Sequence, residues 1–306
     1  MKTIQYNAFG DSSVLQLVQV DKPSPKGGEI LIKIAATTVN PIDMKVRSGY
    51  MQKIIPLNFP ITPGSDVGGT IEAVGANVSR LKVGDKVFAN TFGGTYAEYV
   101  VLKEEQAAWI PKNVGLIEAA SLAVPLVTSY TFLVLGGEVK PGQRVLIHGA
   151  AGGVGSIMVQ MAKALGAYVI GTASGEGLAL AKSLGADEVI DYKTQDFTAL
   201  VKDVDLVIDM AGGETQIKSF KVLKQGGKLL SAMMPPSQEL AEQYHVEAKF
   251  ISSEPSYKKL EFGAKLVEEG KIKTRIAKIL KLEDAAEAQD LVSGGGVNGK
   301  VVLEVE

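Results

Sequence analysis

Four glycines stand close together in the middle of the chain, where an apolar segment gives way to a segment of helical periodicity. They are Gly149, Gly152, Gly153 and Gly155. Glycine lets backbone N–H groups approach a ligand closely, and a helix that begins there presents partial positive charge to it. The spacing therefore favours the binding of a phosphate or pyrophosphate anion.

The segments on either side predict the elements that would hold these glycines in place. Residues 144–148 are typical of a buried strand, apolar residues then recur at helical spacing, and a second strand is predicted over 168–172. The spacing Ala150-x-Gly152-x-x-Gly155 matches the dinucleotide fingerprint G-x-G-x-x-G with alanine in the first place. A tight strand-to-helix turn without a ligand is the alternative interpretation.

Strand and helix patterns alternate from residue 144 to about residue 233, which predicts a parallel, doubly wound sheet with helices on both faces. The chain before residue 120 differs, because its short alternating runs broken by Pro and Gly are typical of an antiparallel β-domain. The C-terminal residues combine a polar helix over 282–291 with a terminal strand over 300–305. We therefore predict an α/β fold in which a doubly wound parallel (Rossmann) sheet is inserted into a β-rich domain.

The composition of the chain limits the kinds of partner and the cellular location that we expect for it. It has 32 basic and 34 acidic residues, a net charge of −2 and no run of Lys or Arg, so we expect neither nucleic acid nor an anionic membrane surface as a partner. The apolar stretch 122–135 is interrupted by Pro125 and by hydroxyl residues, which argues against a membrane span. The N-terminal residues show neither a signal-peptide core nor an Arg-rich presequence, so a cytoplasmic location is expected.

The chain contains no cysteine and only two histidines, His148 and His245. Disulfides, thiolate nucleophiles, iron–sulfur clusters and cysteine-based zinc sites are therefore excluded. His148 ends the strand before the glycines, and we interpret it as a core or loop-bonding histidine rather than a catalytic one.

Seven motifs resemble, in order along the chain, those of one known family. That family is the zinc-independent quinone oxidoreductase, or zeta-crystallin-like, branch of the medium-chain dehydrogenase/reductase superfamily, together with its alkenal/one reductases. The motifs are VNPIDMKVRSGY (39–50), PGSDVGGTIEAVG (63–75), VGDKVFA (83–89), GGTYAEYV (93–100), GQRVLIHGAAGGVGSIMVQMAK (142–163), GADEVIDY (185–192) and GKVVLEV (299–305).

The resemblance implies a domain organisation. It predicts a GroES-like catalytic domain over residues 1–123, a Rossmann nucleotide-binding domain over 124–269 and a return to the catalytic domain over 270–306. It also implies a homodimer joined through the nucleotide-binding domain.

The resemblance also bears on metal binding. Zinc members of the superfamily carry a cysteine in the stretch where this chain has residues 40–43, and a histidine where it has Ser65. Because a catalytic zinc needs three protein ligands, these losses predict a site without metal.

Cofactor choice depends on the end of the second strand, where enzymes that use NAD usually place a carboxylate against the ribose. This chain has Thr172-Ala173-Ser174 there, which removes the main obstacle to NADPH. The resemblance implies that Ser174 binds the 2′-phosphate and that Tyr192 lies beside it. Glu176 stands where Lys or Arg is common, which leaves Lys182 as the nearest cation, so NADPH is favoured and NADH stays possible. The other cofactor contacts that the resemblance implies are Thr128, Ala151, Gly152, Gly153, Val154 and Lys300.

Without a metal, the oxyanion formed by hydride transfer must be stabilised by hydrogen bonds. Quinones and α,β-unsaturated carbonyls (enones and enals) suit such a site because they already delocalise the charge. We predict Asn40 and Tyr50 as neutral donors, with an ordinary exposed loop tyrosine as the alternative for Tyr50. Asp43 keeps a family position, for which a structural role in its turn is the alternative. A non-catalytic NADPH-binding structural or regulatory protein is the rival function, and the sequence does not identify the natural acceptor.

Overall fold

The computed structural model of the protein describes residues 1–54 and 57–305. Ile55, Pro56 and Glu306, which fall within the predicted GroES-like ranges, lie outside the described residues. The chain divides into two compact units. The first unit comprises Met1–Val124, Pro255–Glu268 and Thr274–Glu306, and the second unit comprises Pro125–Glu254 and Glu269–Lys273.

The first unit is built mainly from β-strands, as its short alternating runs predict. Its larger sheet, as far as the structure describes it, has the strand order β14-β15-β3-β4-β5-β7, with β6 also paired to β3. The pairs are antiparallel except that β14 runs parallel to β15. The strands of this unit are β1 (Lys2–Gln5), β2 (Gln16–Gln19), β3 (Glu29–Thr38), β4 (Asp66–Val74), β5 (Lys86–Asn90), β6 (Tyr99–Lys103), β7 (Ala107–Trp109), β14 (Ile276–Lys281) and β15 (Lys300–Glu304).

Helices of the first unit pack against its strands and against one another. The short helix α1 begins with Pro41, whose ring suits the first helical position because no intrahelical donor is needed there. The helices are α1 (Pro41–Arg47), α8 (Tyr257–Glu268) and α9 (Ala285–Ser293), with 3-10 turns at Ser12–Val14, Glu104–Gln106 and Leu282–Asp284. Inward-facing aliphatic side chains of β3, β4, β5 and β15 form the core, together with the buried ring of Tyr96.

The second unit contains the predicted parallel sheet. Its strand order is β10-β9-β8-β11-β12-β13 within the described residues, and every pair is parallel. The chain runs outward from β8 through β9 to β10 and then crosses to β11, which makes a topological switch point between β8 and β11. The strands are β8 (Arg144–His148), β9 (Tyr168–Ala173), β10 (Glu188–Asp191), β11 (Val204–Asp209), β12 (Leu223–Ser231) and β13 (Glu247–Phe250).

Helices follow the strands of the second unit, as in any doubly wound fold. They are α3 (Gly153–Ala164), α4 (Glu176–Ser183), α5 (Phe197–Leu200), α6 (Gly213–Ser219) and α7 (Gln238–Tyr244), with a 3-10 turn at Phe220–Val222. Apolar side chains of β8 to β12, with Phe197 and Phe220, form the core of this unit.

Helix α2 (Leu116–Tyr130) begins in the first unit, continues into the second and is extended by a π-helical segment, Thr131–Gly136. By length and composition alone, residues 116–136 could cross a membrane. Pro125 and the hydroxyl residues are therefore weaker evidence against a membrane span than expected. The most apolar window is 67% buried inside the protein, which is the pattern of a core helix.

Candidate functional site

The glycine turn between β8 and α3 has the backbone that its sequence predicts. Gly149 adopts φ +72°, in the left-handed region that favours glycine. A Cβ on Gly155 would lie 2.1 Å from the carbonyl oxygen of Gly149, so only glycine lets the helix begin this close to the turn. These two glycines are therefore required by the fold itself.

Gly152 is different, because neither backbone nor packing requires it. Its φ is −72°, and a Cβ built there would meet only the Gly149 carbonyl oxygen, at an ordinary 3.4 Å. In the part of the chain that the structure describes, no side chain caps α3, whose first N–H groups have no acceptor within the helix. The turn thus leaves open space in front of free backbone donors, which fits a pyrophosphate.

The predicted cofactor residues of this turn lie at or just before the start of α3. Gly152, Gly153 and Val154 are half-buried at the start of α3, whereas Ala151 is buried in the turn. Thr128 lies half-buried in α2. These assignments stay predictions.

Ser174 and Tyr192 lie side by side because of the register of two parallel strands. Asp191, the last residue of β10, pairs with Ala173, the last residue of β9, so the residues that follow them are neighbours. The Ser174 hydroxyl donates a 2.9 Å hydrogen bond to the Tyr192 hydroxyl oxygen, and the Tyr192 ring is exposed. Because the Tyr192 oxygen accepts this bond, its own hydrogen is free to donate to a ligand.

The charged side chains around Ser174 and Tyr192 are arranged differently from what the sequence predicts. Glu176 is exposed in the first turn of α4, next to Gly175, which adopts φ +55°. Lys182 lies in the last turn of α4, about 9 Å further along the helix axis, and its Nζ donates to the carbonyl oxygen of Asp187. Lys182 is therefore not directed at Ser174, whereas Lys193, which sequence reasoning missed, directly follows Tyr192 and is exposed.

Asp209 is a second residue that sequence reasoning missed. It ends β11, beside the switch point, and its fully buried carboxylate accepts bonds from the N–H groups of Ala211 and Gly212. Gln216 Nε2 and Ser231 Oγ donate to its other oxygen. An acidic residue at the end of an apolar strand is the signal that could have identified it.

In the first unit, Asn40 lies immediately before α1 and is only 3% exposed. Its Nδ2 donates to Asp66 Oδ2 at 2.7 Å and, at 3.4 Å, to the carbonyl oxygen of Thr38. Its Oδ1 accepts a 2.7 Å bond from Lys300 Nζ. Both ends of the amide are therefore held by protein groups.

Lys300 stays a predicted cofactor contact, and the structure places its ammonium group on the Asn40 amide. It is 4% exposed, and its Nζ also donates to the Val39 carbonyl oxygen and to Asp66 Oδ2, each at 3.3 Å. Asp66 is fully buried and also accepts a hydrogen bond from the Val124 N–H at 2.6 Å. The buried ammonium group and the buried carboxylate thus neutralise each other. Either charge would be costly to bury without its partner.

Asp43 lies one turn into α1 and is buried. Its Oδ2 accepts bonds from the Asn40 N–H at 2.8 Å and from the Tyr96 hydroxyl at 3.2 Å. Burial raises the pKa of Asp43 to about 7, despite the opposing effects of the Asn40 bond and the Lys300 charge. The carboxyl group can therefore exchange a proton near neutral pH.

Tyr50 is 71% exposed in the turn after α1, where Gly49 adopts φ +80°. It borders an open depression of about 350 Å³. The other lining residues are Met44, Lys45, Arg47, Ser48 and Ser293. Unlike Asn40, this phenol is accessible to a ligand.

The residues at the expected zinc position do not fit a metal. Asn40 uses its amide oxygen on Lys300, and Ser65 is buried with its carbonyl oxygen accepting from the Thr91 N–H. Neither histidine of the chain belongs to the first unit. The described residues contain no group of three or more His, Cys, Asp or Glu side chains that could hold a metal ion.

Comparisons with known proteins agree with this architecture. Residues 26–112 match the alcohol dehydrogenase GroES-like domain, and residues 184–303 match the zinc-binding dehydrogenase family. The chain is 35% identical to the chloroplast envelope quinone oxidoreductase homolog of Arabidopsis thaliana, over 99% of this chain and 98% of that protein.

Two solved structures extend the likeness to three dimensions. The quinone oxidoreductase from Coxiella burnetii aligns with a TM-score of 0.93 at 35% identity, over 100% of this chain and 99% of that one. The Escherichia coli quinone oxidoreductase complexed with NADPH aligns with a TM-score of 0.91 at 28% identity, over 99% of this chain and 100% of that one.

A doubly wound sheet with an open glycine turn, carried on the same chain as a GroES-like unit, defines a dinucleotide-binding oxidoreductase. The chain belongs to the quinone oxidoreductase family of the medium-chain dehydrogenase/reductase superfamily. It is an oxidoreductase that uses a nicotinamide cofactor and a small-molecule substrate. The predicted fold class and family resemblance are confirmed.

Proposed function

We propose that the protein reduces quinones or α,β-unsaturated carbonyls with NADPH and without a catalytic metal. The observation that carries the proposal is the pair Ser174 and Tyr192 at the ends of β9 and β10, where no carboxylate takes the position typical of enzymes that use NAD. The two hydroxyl groups carry no charge that would repel a 2′-phosphate, and the Tyr192 hydrogen is available to bond it. The Ser174 hydroxyl would rotate away from Tyr192 to donate a second bond to the phosphate.

The glycine turn would hold the rest of the cofactor. Gly153 and Val154 offer N–H groups at the positive end of α3, and Ala151 closes the turn behind them. The Gly152 N–H donates to the Gly149 carbonyl oxygen at 3.1 Å, so Gly152 would serve the cofactor by leaving open space rather than by donating. Thr128 is proposed to contact the nicotinamide amide. A bound NADPH supplies a hydride to the substrate, whose developing negative charge the protein must then stabilise.

In the first unit we assign the hydrogen-bond donor role to Tyr50. Its phenol is exposed, whereas the Asn40 amide is committed to Asp66 and Lys300. Asn40 and Lys300 would act as positioning residues that fix the start of α1 through this buried cluster. Asp43, which anchors the first turn of α1, is proposed to hold a proton near neutral pH.

A homodimer in the cytoplasm is part of the same proposal. Strand β13 lies at the edge of the parallel sheet, and its last residue, Phe250, is half-exposed. An edge strand of this kind can pair with another copy. One relative is named for the chloroplast envelope.

The experiment that tests the proposal follows NADPH oxidation with 1,4-benzoquinone, 9,10-phenanthrenequinone and an alkenal, in the presence of a metal chelator. We expect turnover of at least one acceptor, undiminished by the chelator, and no stoichiometric zinc in the purified protein. NADPH binding without oxidation by any acceptor would instead support the rival, non-catalytic function. About one tightly bound zinc per chain would contradict the assignment of Asn40 and Ser65.

A further inference from the structure

His148 is a buried titratable side chain that the proposed reaction does not use. It ends β8 directly before the glycine turn and is 1% exposed. Its Nδ1 lies 3.1 Å from Thr172 Oγ1, and its Nε2 lies 2.9 Å from Ser219 Oγ. Burial lowers the pKa of His148 to about 4, although the nearby charge of Asp209 opposes this, so the ring is neutral at physiological pH.

The neighbouring hydrogen bonds determine which ring nitrogen carries the proton. Ser219 donates its hydroxyl hydrogen to the carbonyl oxygen of Thr215 at 2.7 Å, so it can only accept from His148 Nε2–H. Nδ1 is then an acceptor, and Thr172 Oγ1 donates to it. A single arrangement of hydrogens therefore satisfies the hydrogen bonds that join Ser219, His148 and Thr172.

This arrangement leaves Thr172 Oγ1 free to accept from the glycine turn. The Gly149 N–H donates to Thr172 Oγ1 at 3.3 Å, and the Ala150 N–H donates to the Thr172 carbonyl oxygen at 2.9 Å. The first two N–H groups of the turn are thus bound by one residue of β9. The donors further along, at the start of α3, are left to face a ligand.

We propose that His148 and Thr172 are positioning residues for the cofactor. The relay from Ser219 through His148 to Thr172 orients the peptide of Gly149, and so sets the direction of the N–H groups that bind pyrophosphate. This inference rests on the proposed use of a nicotinamide dinucleotide. It gives the histidine a role beyond filling space in the core.

The test compares Thr172→Val, which keeps the shape but removes the hydroxyl, with Thr172→Ser, which keeps the hydroxyl. Phe197→Leu is the matched control, because the Phe197 ring packs edge-on against His148 at 4.8 Å without bonding to the turn. For each variant we would measure the hydrogen exchange of the Gly149 amide without cofactor, the NADPH dissociation constant by fluorescence titration, and the melting temperature.

We expect Thr172→Val to speed exchange of the Gly149 amide and to raise the dissociation constant for NADPH about 3- to 10-fold, the effect of one net hydrogen bond. Thr172→Ser should stay close to wild type in both. Phe197→Leu should lower the melting temperature and leave cofactor affinity unchanged.

The inference is overturned if Thr172→Val changes exchange and affinity no more than Phe197→Leu does, or if Thr172→Ser behaves like the valine variant. Failure of the wild type to bind either NADPH or NADH would refute the proposed function instead. The exchange of the Gly149 amide would then still decide whether the relay orients the turn.

Discussion

The hydroxyl of Ser174 donates a 2.9 Å hydrogen bond to the hydroxyl oxygen of Tyr192, across the carboxyl ends of two neighbouring parallel strands. This contact joins two residues that the family resemblance assigns to the same phosphate group. It leaves the Tyr192 hydrogen available to a ligand and places no negative charge between them. Cofactor selectivity is therefore expected to depend on this pair.

Replacing Ser174 with Asp should reverse the preference for NADPH. The carboxylate would repel a 2′-phosphate and could bond the ribose hydroxyls of NADH. A charge-assisted hydrogen bond contributes about 1.5–3 kcal/mol, so we expect a change of about 10- to 100-fold in the ratio of kcat/KM values. Ser174→Ala, measured in parallel, should weaken NADPH without improving NADH. A Ser174→Asp variant with unchanged selectivity would mean that the phosphate binds elsewhere.

Replacing Glu176 with Lys should lower the KM for NADPH and leave that for NADH nearly unchanged. Glu176 is exposed, so solvent and salt screen its repulsion and the gain should be below about 1 kcal/mol. Glu239→Lys is the control, because Glu239 is an exposed acidic residue in the first turn of another helix, α7. The same improvement in both variants would point to overall charge rather than to a local effect at α4.

Much of the second unit could be predicted from the sequence because its apolar strands alternate regularly with amphipathic helices. Strand β13, Glu247–Phe250, is an exception, since only Ala248 of its four residues is buried. A short edge strand of this kind carries almost no periodic signal. The nearness of Ser174 and Tyr192 follows from parallel register once β9 and β10 are recognised as neighbours.

The buried cluster of the first unit could not be predicted in the same way. Lys300, Asn40 and Asp66 lie far apart in the sequence and meet only because β15, α1 and β4 converge. The sequence predicts Lys300 as a cofactor contact and offers no sign of its buried carboxylate partner. Likewise, the sequence predicts Asn40 as a hydrogen-bond donor to a ligand, whereas in the folded chain its amide already donates to Asp66.

Replacing Lys300 with Met should destabilise the protein strongly. The change leaves the buried Asp66 carboxylate without its cation, which typically costs about 3–5 kcal/mol in the free energy of unfolding. Lys278→Met is the control, because Lys278 forms an exposed ion pair with Glu287 and should contribute less than about 1 kcal/mol. Urea unfolding of both variants measures the difference. If both variants lose equally little free energy of unfolding, the ion pair of Lys300 with Asp66 contributes no more than an exposed ion pair.

Replacing Asp43 with Asn should change how stability depends on pH. The pKa of Asp43 is raised from 3.8 to about 7 by burial, so the folded state holds this proton more tightly than the unfolded state. Its stabilising contribution is fully present below pH 3.8 and is lost as the pH rises through about 7.

The free energy of unfolding of wild type relative to Asp43→Asn should therefore fall by about 2–4 kcal/mol between acidic and neutral pH. Taking the difference cancels the titration of His148, which is common to both proteins. Urea unfolding at a series of pH values provides the measurement. A difference that stays flat would show that folding does not raise the pKa of Asp43.

The most direct test of the account is the steady-state kcat/KM of the wild-type protein for NADPH and for NADH, with 9,10-phenanthrenequinone as acceptor and a metal chelator present. We expect turnover with both cofactors and the higher value with NADPH. A value for NADH that equals or exceeds the value for NADPH, or a reaction that the chelator abolishes, would contradict it.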